Sequence, residues 1–200
     1  AAAAWDKNLH EGFVVPFGDV VKDESIRADG TLEKLASLPS VFSENGAGTA
    51  GNSSPLNDGS VTMLITDRAG TDNLGLTGIG RILGAQVTAT NPNEFTLAPV
   101  SAIHKVLART GKKFSDIKVW EINEAFAVVA EKFIRDLGLD RSKVNVNGGA
   151  MALGHPIGAT GSILIGTLLD ELERQQKRYG LVTMCAAGGM APAIIIERLA

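Results

Sequence analysis

From Ala98 onward the apolar positions recur with clear periods. Val100, Ile103, Val106 and Leu107 fall at helical spacing as far as Gly111, and Pro99 suits a first helical turn, which predicts a helix starting at Ala98. Lys118 to Ile122 then reads as a strand, Ala125 to Leu137 as a helix, Val144 to Gly148 as a strand and Ala159 to Gln175 as a helix. Leu181 to Cys185 and Ala193 to Glu197 close the chain as strands. This alternation predicts an α/β layered fold with a mixed, mostly parallel sheet. The helix from Ala159 is apolar around much of its girth, through Ile163, Leu164, Ile165, Leu168 and Leu169, so it is expected to lie buried between layers, with a missing domain or a partner chain on its far side.

Upstream the signal is weaker. Val61 to Thr66 and Gln86 to Thr90 read as strands, and Thr31 to Leu38 as a short helix inside an otherwise irregular opening of about 60 residues. Gly, Asn, Ser and Pro crowd Gly46 to Gly59, a composition that favours turns and a long functional loop.

Composition narrows the function classes. A net charge of −3 supplies no basic field for nucleic acid, so no nucleic-acid partner is expected. A single cysteine cannot form an internal disulfide, which fits the cytoplasm or an organelle matrix and makes a reactive thiol worth weighing. No apolar run reaches the roughly 20 residues that span a bilayer, and Ala1 to Lys7 lacks the form of a secretory leader. The first residue is alanine rather than methionine, so processing or a longer parent polypeptide is expected. One cysteine and three scattered histidines give no metal-ligand spacing, and His10 and His104 read as surface or edge histidines.

Three polar side chains follow successive strand patterns: Asn123, His155 and Cys185. In a parallel sheet those strand ends share one edge, where ligands of α/β folds bind. His155 sits in Asn145 to Gly161, a glycine-dense stretch in which Pro156 stiffens the turn; packing alone also explains such a loop. Cys185 reads either as a small buried hydrophobe or as a thiol beside Ala186-Ala187-Gly188-Gly189, whose backbone N–H groups suit an oxyanion. Asn123 reads either as a helix cap, with Glu124 in the first turn, or as a site residue.

These segments resemble the thiolase family. Asn145 to Gly161 is similar to its glycine-histidine-proline signature, Asn123-Glu124-Ala125-Phe126-Ala127 to its Asn-Glu-Ala-Phe-Ala block, and Cys185 to Gly189 to its final cysteine-glycine signature. Thr49 to Gly59 resembles the coenzyme A loop, and Asp23 to Arg27 the segment whose arginine meets the nucleotide end of that ligand. The resemblance runs from about Phe13 to the end and covers a thiolase's C-terminal half, without the nucleophilic cysteine of the first half.

The resemblance implies a loop-domain remnant with the coenzyme A loop over residues 1–60 and a thiolase C-terminal domain over 61–200. It implies coenzyme A or acyl-CoA as substrate, with no permanently bound cofactor, and cleavage or synthesis of 3-oxoacyl-CoA in company with an N-terminal half. Homodimers or homotetramers are implied likewise. His155 would activate the missing thiol and, with a water held by Asn123, stabilise the thioester enolate, while Cys185 would move the α-proton. The Ala187 N–H would form half of the second oxyanion hole. Arg27 would meet the nucleotide, Ala50, Gly51 and Ser54 would line the pantetheine channel, and Phe126 would wall the acyl site. Ala187, Pro55 and Leu97-Ala98-Pro99 depart from common glycine positions. The other readings are a thiolase-like half that binds coenzyme A or a partner without turnover, and a ketoacyl synthase relative, which generally has a second histidine where Cys185 stands.

Overall fold

Residues 190–198, apolar at most positions, have room for such a sequence only where both faces of a strand are covered. In the computed structural model, which describes residues 1–199, this segment is central to the sheet. The chain runs α1 (Ala2–Asp6), α2 (Leu32–Ala36), α3 (Arg68–Leu74), β1 (Gly80–Ala89), α4 (Ala98–Thr110), β2 (Val119–Ile122), α5 (Ala127–Leu137), α6 (Ala150–Leu153), α7 (Thr160–Arg174), β3 (Tyr179–Thr183) and β4 (Met190–Arg198). The strand order is β1-β4-β3-β2.

The expected layered α/β sheet is mixed, but its balance of directions differs from the expectation. Among the four described strands, only β2 and β3 pair in parallel; β4 runs antiparallel to both β3 and β1. The turn between β3 and β4 is too short for a crossover, so β4 folds back as a hairpin arm and enters between β3 and β1.

Helices cover both faces. On one, Ile103, Val106 and Leu107 of α4 and Val129 and Phe133 of α5 cluster with Trp120, Ile122, Leu181 and Ile195. On the other, Leu164, Leu168 and Leu172 of α7 meet Val119, Val182 and Ile196. Small residues set the helix–sheet distance: a Cβ at Gly180 would stand 2.5 Å from Leu168 Cδ1, and one at Gly84 would stand 2.6 Å from Thr110 Cγ2.

No residue of α7 is exposed before Glu173, as its apolar girth predicts. Part of its outer cover is this chain's own N-terminal segment. Arg174 Nη2 donates to the Leu9 carbonyl at 3.1 Å, and the Phe13 ring lies over Gly166. His10, expected at a surface or edge, is instead 4% exposed, because the same segment packs it between the rings of Trp5 and Phe13. None of the helices among the described residues is long and apolar enough to cross a membrane.

Two predicted strands do not form. Val61 to Thr66 forms no strand, with Leu64 67% and Ile65 69% exposed, because no segment among the described residues pairs with it and an unpaired strand has no ladder. Val144 to Gly148 reduces to one bridge between Trp120 and Val144, for a reason given below. β1 begins at Gly80, six residues before the expected start at Gln86, because pairing with β4 overrides the glycines at 80 and 84.

The close fit of α7 on β3 gives a stability prediction. Gly180→Ala costs about 1–3 kcal/mol by overpacking and Leu168→Ala about 2–5 kcal/mol by leaving a cavity. The double variant loses less than the two together, since the added methyl enters the space that Leu168 vacates; urea denaturation of the four proteins measures the difference.

Candidate active site

The site lies at the C-terminal ends of β2 and β3. Their parallel register pairs Ile122 with Thr183, and the Asn123 N–H continues the ladder by donating to the Thr183 carbonyl at 3.0 Å. Asn123 leaves β2 and Cys185 leaves β3, so both emerge at one edge.

Asn145 bends the third segment toward that edge. Its N–H donates to the Trp120 carbonyl at 2.9 Å, after which a φ of +46° turns the backbone away. Its side chain then does what the next strand residue would have done: Oδ1 accepts from the Ile122 N–H and Nδ2 donates to the Ile122 carbonyl, each at 2.8 Å. Nδ2 also reaches Glu124 Oε1 at 2.7 Å, while Glu124 Oε2 accepts from the Met151 N–H at the start of α6. One asparagine thus replaces the expected strand and aims the chain through α6 back to His155.

His155 is held on both sides. Its Nδ1 lies 2.8 Å from Thr160 Oγ1, and the Thr160 hydroxyl donates to the Pro156 carbonyl at 2.9 Å. Because that hydroxyl proton is committed, Oγ1 accepts, and the imidazole carries its proton on Nδ1. Nε2 is then the acceptor for Asn123 Nδ2, 3.2 Å away. Asn123 is fully buried, and α5 instead starts from Phe126 without a side-chain cap, so Asn123 does not cap a helix. Burial pushes the His155 pKa below its ordinary value and keeps the ring neutral.

Cys185 is 7% exposed and lies two residues beyond β3, rather than at its last position as expected. Burial raises its pKa, so at neutral pH it is a thiol able to give a proton. The turn after it is fixed at both ends. The Ala186 N–H donates to the Met190 carbonyl at 2.8 Å, and the Thr90 N–H donates to the Gly189 carbonyl at 2.8 Å. Left-handed backbone falls on Gly188 and Gly189, with φ of +83° and +84°, and not on Ala187, so alanine stands at 187 without strain. A Cβ at Gly189 would lie 2.3 Å from the Thr90 oxygen.

The upstream loop folds onto the same edge. Thr49 and Asn52 cap a single 3-10 turn at Ala50–Asn52, placing Ala50 exposed and Gly51 half-buried. The Ser54 N–H donates to the Ala125 carbonyl at 3.0 Å, tying the loop to the segment between Asn123 and Phe126. Asn57 packs against Gly154 and Gly59 against Pro156, on either side of His155. Asn57 Nδ2 also donates to Ser25 Oγ at 3.0 Å, which draws in the segment bearing Arg27. Arg27 itself is exposed. Phe126 sits edge-on to Phe42 at 5.7 Å and to Phe95 at 6.4 Å.

Sequence reasoning missed several contributors. Thr160 lies inside the glycine-histidine stretch, five residues after the histidine, where an N-terminal helix position lets a hydroxyl reach back to the ring. Asn145 and Glu124 were visible only as members of motifs. Phe42 and Phe95 carried no signal, since their approach to Phe126 is a tertiary contact.

Comparison with known proteins identifies the family and the fold. Residues 76–198 match the family model for the thiolase C-terminal domain, and residues 1–69 match that for the thiolase N-terminal domain. The chain belongs to the thiolase family. It is 42% identical to the acetyl-CoA acetyltransferase of Shinella zoogloeoides over 207 aligned positions, covering 100% of this chain and 53% of that one. Against the 3-ketoacyl-CoA thiolase of Bacillus subtilis (strain 168) the identity is 43%, covering 88% and 45%. Among solved structures, Bacillus anthracis acetyl-CoA acetyltransferase superposes with a TM-score of 0.92 at 37% identity, over 100% of this chain and 52% of that chain. Human mitochondrial 3-ketoacyl-CoA thiolase in complex with CoA gives 0.91 at 34%, over 100% and 51%. The chain spans about half the length of the curated relatives it matches.

Two predictions follow from the imidazole's setting. Thr160→Val removes the acceptor at Nδ1, so nitrogen-15 spectra of His155 will move toward the Nε2–H tautomer, with a stability loss of about 1 kcal/mol. The pKa values of His10 and His155 are both depressed, chiefly by burial, so the unfolded chain binds more protons as pH drops below roughly 6.5. Stability contributed by the neutral rings is present above that value and is lost as pH falls toward the folded pKa values. Urea titrations across this range will show a shallower slope for His155→Gln than for the parent chain.

Proposed function

We propose that this chain is the acid–base half of a thiolase, an acyl-CoA C-acyltransferase acting on 3-oxoacyl-CoA. Residues 1–60 then form the end of a loop domain with the coenzyme A loop, and residues 61–200 the C-terminal domain. The nucleophilic cysteine comes from an N-terminal half, on the same polypeptide or a separate one. The observation that carries this reading is the contact of the buried Asn123, through Nδ2, with the half-buried His155 at Nε2, at the sheet edge from which Cys185 also emerges.

In thiolysis, the attacking cysteine thiol loses its proton to His155 Nε2, the unprotonated nitrogen of this tautomer. Its sulfur adds to C3 of the substrate, and the C2–C3 bond breaks. The electron pair passes into the thioester as an enolate, whose oxygen is met by His155 and by a water on Asn123. The Cys185 thiol protonates C2, which releases acetyl-CoA, and a coenzyme A thiolate then takes the shortened acyl group from the nucleophile as the second acyl-CoA product. Condensation reverses these steps. Burial of Cys185 supports the protonating direction, since it favours the thiol.

The Ala187 N–H, in the turn beside the thiol, is assigned to the second oxyanion hole. Arg27, Ala50, Gly51 and Ser54 are assigned to coenzyme A, and Phe126 to the acyl wall. Their loops lie against one another through Asn57 and Ser25. A homodimer or homotetramer, a role in fatty-acid metabolism and a cytoplasmic or organelle-matrix setting complete the reading. The second reading is a thiolase-like half that binds coenzyme A or a partner without turnover; the retained Asn123, His155 and Cys185 favour the first.

The two readings part in one assay. The chain combined with a family N-terminal half bearing its cysteine should cleave acetoacetyl-CoA in the presence of coenzyme A. Cys185→Ala or His155→Ala should lower kcat about 10²–10⁴-fold. Measurable coenzyme A affinity with no cleavage in the combined protein would favour binding alone.

A further inference from the structure

Glu121 lies on β2 between the buried Trp120 and Ile122 and is itself 1% exposed. Trp120 and Ile122 face α4 and α5, whereas Val119 faces α7, so strand alternation places Glu121 on the α7 side. Asn123, two residues further along, reaches the loop before α7 through His155. The carboxyl of Glu121 and the amide of Asn123 are therefore neighbours on one face of the strand, about 7 Å apart at their Cα atoms.

Two carboxyl groups close to Glu121 are supplied with donors. Glu124 takes Asn145 Nδ2 and the Met151 N–H. Glu171 on α7 takes Asn147 Nδ2 at 2.7 Å, Gln175 Nε2 at 2.6 Å and the Arg174 guanidinium. Glu121 Oε1 is buried and has no partner among the described residues, and neither has Asn123 Oδ1. Without a donor, and facing Glu124 and Glu171, Glu121 is driven toward the neutral acid: burial first, then these two carboxyls, push its pKa well above the ordinary value. A neutral carboxylic acid has one O–H to give, and the unpartnered acceptor on its own strand face is Asn123 Oδ1.

We propose that Glu121 is a positioning residue for the Asn123–His155 pair, its carboxyl O–H donating to Asn123 Oδ1 directly or through one buried water. The hydrogen bonds then run in one direction, from Glu121 to Asn123, on to His155, Thr160 and the Pro156 carbonyl. An asparagine amide has no intrinsic orientation. The Glu121 proton fixes its oxygen inward, so that its NH2 must face Nε2 of the imidazole. The role in catalysis rests on the thiolase reading; the positioning itself does not.

The test is made on the full chain without turnover, so a failed thiolysis assay and a failed positioning role are told apart. Infrared spectra at neutral pH should contain a protonated-carboxyl band that Glu121→Gln removes. Nitrogen-15 spectra, assigned against His155→Ala, should give the same His155 tautomer and pKa in Glu121→Gln as in the parent, because the glutamine NH2 still donates and no charge has changed. Glu121→Met, which cannot donate, should move the His155 ring-nitrogen shifts and raise its Nε2–H population at least twofold. The proposal is overturned if the carboxyl band is absent, if Glu121→Gln changes the His155 pKa, or if Glu121→Met leaves the ring nitrogens unmoved. Should Glu121→Met fail to fold, the infrared band and the glutamine comparison decide alone.

Discussion

The arrangement of the site depends on how the edge of β2 is completed. A parallel strand needs a partner for the N–H and carbonyl of Ile122, and an ordinary neighbouring strand would have carried the chain past the edge. The Asn145 side chain supplies both bonds while its left-handed backbone turns the chain aside. The ladder is satisfied and the loop is free to return. Everything that holds His155 follows from that substitution of a side chain for a strand: α6 braced by Glu124, the turn at Pro156, and Thr160 opening α7 beneath the ring.

The sheet and the loops divide the work. The residues proposed for acid–base work are attached to β2, β3 and the start of α7, elements buried on both sides, and this fixes Asn123 and Cys185 by backbone register. The segments assigned to coenzyme A lie outside the sheet and hold to it through few bonds, among them Ser54 to Ala125. Rigid chemistry beside an adaptable ligand loop is the arrangement expected where one reaction serves ligands of different length.

Much of this was legible in the chain. Helical periodicity gave α4, α5 and α7 within a few residues, because their stripes are long and uninterrupted. Asn123 and His155, which the structure brings into contact, stood in motifs that follow strand patterns. Strand direction was less legible, since alternation of strand and helix suggests parallel pairing and carries no mark of the hairpin that inserts β4. Val61 to Thr66 failed as a strand because composition cannot report whether a partner exists. Val144 to Gly148 failed because the bonding role of Asn145 is tertiary. His10 was misread for a related reason: a lone histidine in loop sequence gives no sign that Trp5 and Phe13 will enclose it.

The turn from Cys185 to Gly189 sets a limit on how this sequence can drift over generations. Gly189 admits no side chain because the Thr90 carbonyl occupies the place of its Cβ, and Gly188 is confined by its left-handed backbone. Met190 holds the turn through its main-chain oxygen, so its side chain is not what fixes the geometry. Variation is therefore channelled into Ala186 and Ala187, the two residues that follow the thiol. A lineage reshaping the surroundings of this thiol has those two positions to work with, and the same backbone that keeps the thiol in place narrows the inheritance of change to them.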